Sequence, residues 1–132
     1  MLKLLTLLLV STFSAICHAA TVDWTPLLQS MKRDCAFDLE ALPYEKSEID
    51  RLPTKYRTSV LRSHNKQTAS GNEVLTIELK NSVAFGQPLS ALIIESNEGY
   101  GYVKMKFSPN ADVPKLIALF TTPINRQRGM LA

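Results

Sequence analysis

The sequence is poor in the residue types that most often carry chemistry. Among 132 residues there are two cysteines, Cys17 and Cys35, and two histidines, His18 and His64. So few exclude a disulfide-dense scaffold and leave too little for a zinc cage. The five glycines are scattered singly, apart from Gly99-Tyr100-Gly101, so a phosphate-cradling glycine loop is absent. No Gly-x-Ser-x-Gly occurs, which leaves a serine triad unsupported. The acidic residues show no metal-ligand spacing. Neither charge sign dominates. Fifteen Lys+Arg against twelve Asp+Glu give a net charge of +3, too mild for a nucleic-acid footprint. With 45% hydrophobic and 20% charged residues, the composition is that of an ordinary globular chain and not of a disordered tail, a collagen-like rod or a multi-span membrane protein.

What is present begins with the first nineteen residues. Met1-Leu2-Lys3 is a short positive start, residues 4–16 are mainly apolar, and Cys17-His18-Ala19 closes the stretch. This is the pattern of a secretory signal peptide cleaved after Ala19. The apolar stretch of about 13 residues falls short of the ~20 that span a bilayer. Ser14-Ala15-Ile16 before Cys17 does not match a lipoprotein signal, because Ile16 is too large. Removal of 19 residues leaves 113, with one cysteine, Cys35, and one histidine, His64. One cysteine makes no intramolecular disulfide. With no Asn-x-Ser/Thr sequon, the expected compartment is the bacterial periplasm, or secretion, with no transmembrane span. The expected organisation is a cleaved signal over 1–19, one domain over 20–122, and a loose basic tail over 123–132.

Helical spacing runs through Trp24, Leu27, Leu28, Met31, Cys35, Leu39 and Leu42, with Thr25 as the expected N-cap, Pro26 at the first helical position and Pro43 as the stop. Ser47-Glu48-Ile49-Asp50 is a second helix-start pattern, and residues 54–64 read equally as helix or strand. Residues 65–72 are polar and turn-like. Alternation at Leu75, Ile77 and Leu79 predicts a half-buried strand. The run from Ala91 to Glu95 predicts a central strand, and Val103, Met105 and Phe107 predict a third. Asp112 and Pro114 open a last helix whose Leu116, Ile117 and Phe120 are expected to face the core. The fold class this predicts is α+β: N-terminal helices on one face of a three- to four-stranded antiparallel sheet, with a C-terminal helix.

Two constellations carry functional meaning. Residues 34–50 hold six acids and one base, whereas 51–66 hold Arg51, Lys55, Arg57, Arg62 and Lys66 and no acid. These segments read either as solvated faces that partly pair with each other or as a basic patch for an acidic partner. Tyr100 and Tyr102 share a strand face with Lys104 and Lys106, a composition that suits either an ordinary exposed sheet face or protein contact. Cys35 lies on the apolar helical stripe, where a thiol is inert, and no motif pairs it with His64. The expectation is a small exported protein that acts without catalysis, cofactor or metal, by binding a protein partner in the cell envelope as an inhibitor, immunity or assembly factor. The alternatives are a binder of anionic envelope lipid or polysaccharide through residues 51–66, and a small thiol-dependent enzyme. Binding is assigned to Arg51, Lys55, Arg57, Arg62, Lys66, Tyr100, Tyr102, Lys104 and Lys106.

Overall fold

The computed structural model describes residues 20–34, 41–97 and 101–120. The expected signal peptide, Cys35, Tyr100 and the basic tail lie outside them. The expected architecture is corrected by the backbone pairing. Among the described residues the chain is mostly sheet, with six strands in a mixed arrangement and a few short helices, not helices laid on an antiparallel meander. Two strands had no sequence signal because they are too short to show a period: β1 (Val22–Asp23) and β4 (Ser82–Ala84). They pair in parallel, Val22 beside Ser82 and Asp23 beside Val83. The stretch read as ambiguous divides into a single helical turn, α2 (Thr54–Arg57), and the start of β2 (Val60–Gln67).

The described helical segments are short, and Cys35 and Leu39 of the predicted first helix lie outside the described residues. α1 spans Thr25–Asp34, a 3-10 helix spans Lys46–Arg51, and α3 covers residues 113–120. Thr25 is not the N-cap the sequence predicts. It is the first helical residue, and its hydroxyl accepts the Phe85 N–H at 2.7 Å, while Asp23 Oδ1 accepts the Thr25 N–H at 2.9 Å. The hydroxyl therefore ties α1 to a hairpin turn 60 residues away. In the 3-10 segment the Glu48 carboxylate reaches back to the Tyr44 N–H at 2.7 Å, and Ile49 is buried. Asp112 does cap α3, its Oδ1 accepting the Lys115 N–H at 3.2 Å. Leu116 is buried, but Ile117 is 57% exposed, against expectation.

The main sheet is antiparallel in the order β2, β3 (Glu73–Leu79), β5 (Gln87–Ser96), β6 (Gly101–Phe107). Alternation places Leu75, Ile77, Leu92 and Ile94 on one face, all fully buried, with Val103 nearly so. A slip of one residue would turn this set to solvent, at about 1.5–3 kcal/mol for each side chain. β4 is in effect a continuation of β3. Glu78 faces Ala91 and Val83 faces Pro88, so Lys80–Asn81 inserts two residues on one side, and Asn81 takes a φ of 47° there. The outer edge of this line is taken by two strands in turn. Lys80 N–H donates to Ser59 O, then Val22 N–H to Asn81 O and Trp24 N–H to Val83 O, each at 2.8 Å. The β4–β5 turn, Phe85-Gly86, has φ of 51° and 76°, the two positive values that a two-residue hairpin of right-handed twist needs.

The inner face is covered by α1, the 3-10 segment and α2, through Trp24, Leu28, Leu42, Ile49, Leu52 and Tyr56. Trp24 lies at the junction. Its ring sits 4.9 Å from that of Tyr56 at 54°, and its Nε1–H donates to Ser59 Oγ at 3.1 Å. Ser59 Oγ in turn donates to Tyr56 O at 2.7 Å. α3 meets the sheet at the hairpin end, where Phe120 stacks edge-on against Phe85 at 5.1 Å. Among the described residues β2 pairs on one side only, with β3.

Candidate functional site

On the opposite face of the four-stranded sheet the side chains form rows fixed by the register. Arg62, Glu78, Ala91 and Lys106 are aligned across the four strands, as are His64, Thr76, Ile93 and Lys104, and then Lys66, Val74, Glu95 and Tyr102. The edge-strand members of every row are exposed, and the inner members are partly shielded, with Ala91 buried beneath its neighbours. Strands ~4.8 Å apart place β2 and β6 about 14 Å from each other. The face is therefore a shallow bed with basic side chains along both margins and Val74, Thr76, Ala91 and Ile93 between them.

Both carboxylates on the bed are already engaged. Glu78 is paired with Arg62, whose Nη2 lies 3.3 Å from Oε1 and whose Nε meets Oε2. The guanidinium holds the Glu78 carboxyl below its usual range, with lesser help from the charges of His64 and Lys106. Glu95 accepts from the Tyr102 hydroxyl and, at 2.8 Å, from Asn72 Nδ2. The Tyr102 hydrogen bond, then that of Asn72, lowers its pKa, and Lys104 adds a smaller attraction. Lys104 Nζ stands 5.3 Å over the Tyr102 ring. Arg62 and Glu78 cancel, and against the one Glu95 carboxylate stand Lys66, Lys104 and Lys106, so the face keeps a net positive charge.

The structure thus gathers five of the nine sequence-assigned residues: Arg62 and Lys66 from β2, and Tyr102, Lys104 and Lys106 from β6. It does not gather the rest. Arg51 sits in the 3-10 helix, 3.6 Å from Glu48. Lys55 and Arg57 are on α2 in the covering layer, Lys55 Nζ 4.8 Å over the Tyr56 ring and Arg57 Nη2 donating to Thr54 Oγ1 at 3.0 Å. The basic segment 51–66 is therefore split between the two sides of the sheet, and Tyr100 lies outside the described residues. His64, Thr76 and Ile93 belong to the bed and were not assigned from sequence. The signal for His64 was its spacing of two from both Arg62 and Lys66, legible only once the segment is known to be a strand.

A second concavity, of about 650 Å³, lies beside β1 and is lined by Val22, Asp23, Pro26, Lys55, Lys80 and Asn81 among others. Its charged groups are two lysines and one carboxylate, an arrangement that can hold an anion but offers no nucleophile paired with a base. Among the described residues no three His, Cys, Asp or Glu side chains cluster to hold a metal ion, and no helix is long and apolar enough to cross a membrane. No protein-family model matches the chain, no curated protein is similar to it, and no solved structure matches it.

Proposed function

We propose that this is a small exported protein of the periplasm, or secreted, that acts without catalysis by binding a protein partner of the cell envelope, and that the open sheet face is its binding surface. Inhibitor, immunity and envelope-assembly roles share this requirement. One observation carries the reading: two segments nearly forty residues apart in sequence place Lys66, Lys104 and Lys106 on one exposed face, beside the Arg62–Glu78 pair. Exposed cations flanking small apolar and β-branched side chains form a surface that complements an acidic partner and speeds its encounter. Export rests on the pattern of residues 1–19.

The test is affinity capture of the mature chain from its own envelope fraction with three baits: the native sequence, K66E/K104E/K106E on the face, and R51E/K55E/R57E off it. A near-stoichiometric protein held by the native and off-face baits and lost by the face variant is the expected result. A partner retained equally by all three would overturn the assignment of the face. The intact mass of the exported chain checks the compartment: a start at Ala20 is expected, and retention of residues 1–19 would refute export by cleavage. The basic margins also support a second reading, a binder of anionic envelope lipid or polysaccharide. It predicts sedimentation with phosphatidylglycerol vesicles or peptidoglycan that weakens with salt.

A further inference from the structure

The arrangement of charge and apolar surface on the open face is more specific than a basic patch. The β6 margin carries the cations Lys104 and Lys106, and the β2 margin carries the cation Lys66 beside the imidazole of His64, while Arg62 is committed to Glu78. Along a strand, side chains on one face recur every two residues, about 6.6–6.8 Å. Along an α-helix, positions i and i+4 are separated by about 6 Å. Two carboxylates one helical turn apart therefore match Lys104 and Lys106, and a second such pair matches His64 and Lys66. The width agrees as well. A helix with its side chains is 10–12 Å across, and the two margins are about 14 Å apart. Between them the floor offers Val74, Thr76 and Ile93, each partly exposed, along the midline where the underside of such a helix would rest, with Glu78 and Glu95 at its two ends, held by Arg62 and by Tyr102 and Asn72. Covering a sheet face with a helix is also a common two-layer solution.

The chain does not supply this helix from the segments outside the described structure that are long enough to form one. Residues 1–19 and 121–132 contain no Asp or Glu, and 121–132 carry Arg126 and Arg128. Neither stretch has the acidic flanks this geometry asks for.

Resting on the reading of the open face as the binding surface, we propose that it receives a single amphipathic α-helix of a partner protein, lying along the strands, with an apolar stripe on Val74, Thr76 and Ile93 and acidic residues on both flanks facing Lys104 and Lys106 on one side and His64 and Lys66 on the other. This mode needs no rearrangement of the sheet and reads two properties together, the stripe and the flanking charge.

Fluorescence anisotropy tests it with synthetic probes and the mature protein. The first probe is a labelled 18-residue peptide with leucines at i, i+3, i+4 and i+7 and glutamates on both flanks. The second has the same composition scrambled to destroy the stripe. Phosphatidylglycerol vesicles form a third arm. The amphipathic peptide is expected to bind at least tenfold more tightly than the scrambled one, and K104E/K106E and K66E are each expected to weaken it, the double variant at least tenfold. Circular dichroism of each variant establishes that it is folded. Equal binding of the two peptides, sensitive to the same substitutions, would overturn the helix while leaving the face as the binding surface. Vesicle binding lost in K104E/K106E, with no peptide binding, would likewise overturn the helix and assign the face to lipid. Binding of the amphipathic peptide unaffected by any of the substitutions would overturn both readings.

Discussion

Removing the Ser59 hydroxyl should destabilise the fold out of proportion to its size, because Trp24 depends on it. Trp24 and Ser59 are buried, at 0% and 2% exposure, and Ser59 Oγ accepts the indole N–H while donating to Tyr56 O. In Ser59→Ala the indole N–H is left in a dry site without an acceptor, which costs about 1–3 kcal/mol. For a urea m-value of about 1–3 kcal/mol/M, that is a fall in midpoint on the order of 1 M. Trp24→Phe keeps an aromatic ring against Tyr56 and removes the donor. In that background Ser59→Ala forfeits only the bond to Tyr56 O, about 1 kcal/mol, so the two substitutions should couple by about 1 kcal/mol. Urea unfolding of the four proteins followed by far-UV circular dichroism closes the cycle. The reasoning fails if Ser59→Ala costs less than about 0.5 kcal/mol, or if it costs the same with Trp and with Phe at position 24, within the error of additive sites.

Other expectations follow from the same geometry. Gly86→Ala should cost about 1 kcal/mol, since φ of 76° disfavours any L side chain although a Cβ there meets nothing within 4 Å; Gly86→Asn should cost less, and a thermal melt that shows neither loss would refute the turn assignment. Asp112→Ala should lose about 1 kcal/mol through the uncapped start of α3, measured by chemical denaturation, while Asp112→Asn should retain most of it. The Glu95 carboxyl, held below the usual glutamate value of 4.5 by Tyr102 and Asn72, gives stability that is full above that value and is lost as pH falls through its lower folded pKa. Glu95→Gln should therefore flatten the acid limb of the stability–pH curve below about pH 4.5. An unchanged limb, or a carboxyl titrating at 4.5 or above by NMR, would contradict that.

How much of this was readable in the residues varies element by element. β3 and β6 were legible because each pairs a buried face with a wet one, so Leu75, Ile77 and Leu79 or Val103, Met105 and Phe107 announce the period, and β5 was legible as the apolar run from Ala91 to Glu95. β2 was not legible, because as an edge strand it has polar residues on both faces. Ser63 and Asn65 stand on the side that Ile77 and Leu75 occupy in the neighbouring strand, and an alternation of polar with polar has no period to detect. β1 and β4 are held by backbone hydrogen bonds and by the bulge at Asn81, neither of which requires a particular side-chain pattern. The site followed the strands. Lys104 and Lys106 were seen on their correct face, whereas Arg62 and Lys66 were grouped with Arg51, Lys55 and Arg57 by proximity in sequence. Thr25 shows a further limit: its type suits a cap, but a partner 60 residues distant claims its hydroxyl.

One side of β2 is unpaired among the described residues, and this has a consequence for solubility. An open strand of eight residues is a template on which a second chain can build. Two copies pairing antiparallel about His64 would set Arg62 directly against Lys66 twice, and like charges facing across strands are unfavourable. The cations that line the bed therefore also keep copies of the chain from extending one another's sheets. Substituting them with neutral residues would remove that repulsion and favour self-association, whereas glutamates at the same places would restore it with the opposite sign. A variant with Arg62 and Lys66 both replaced by Gln should consequently be the one that sediments as oligomers at high concentration.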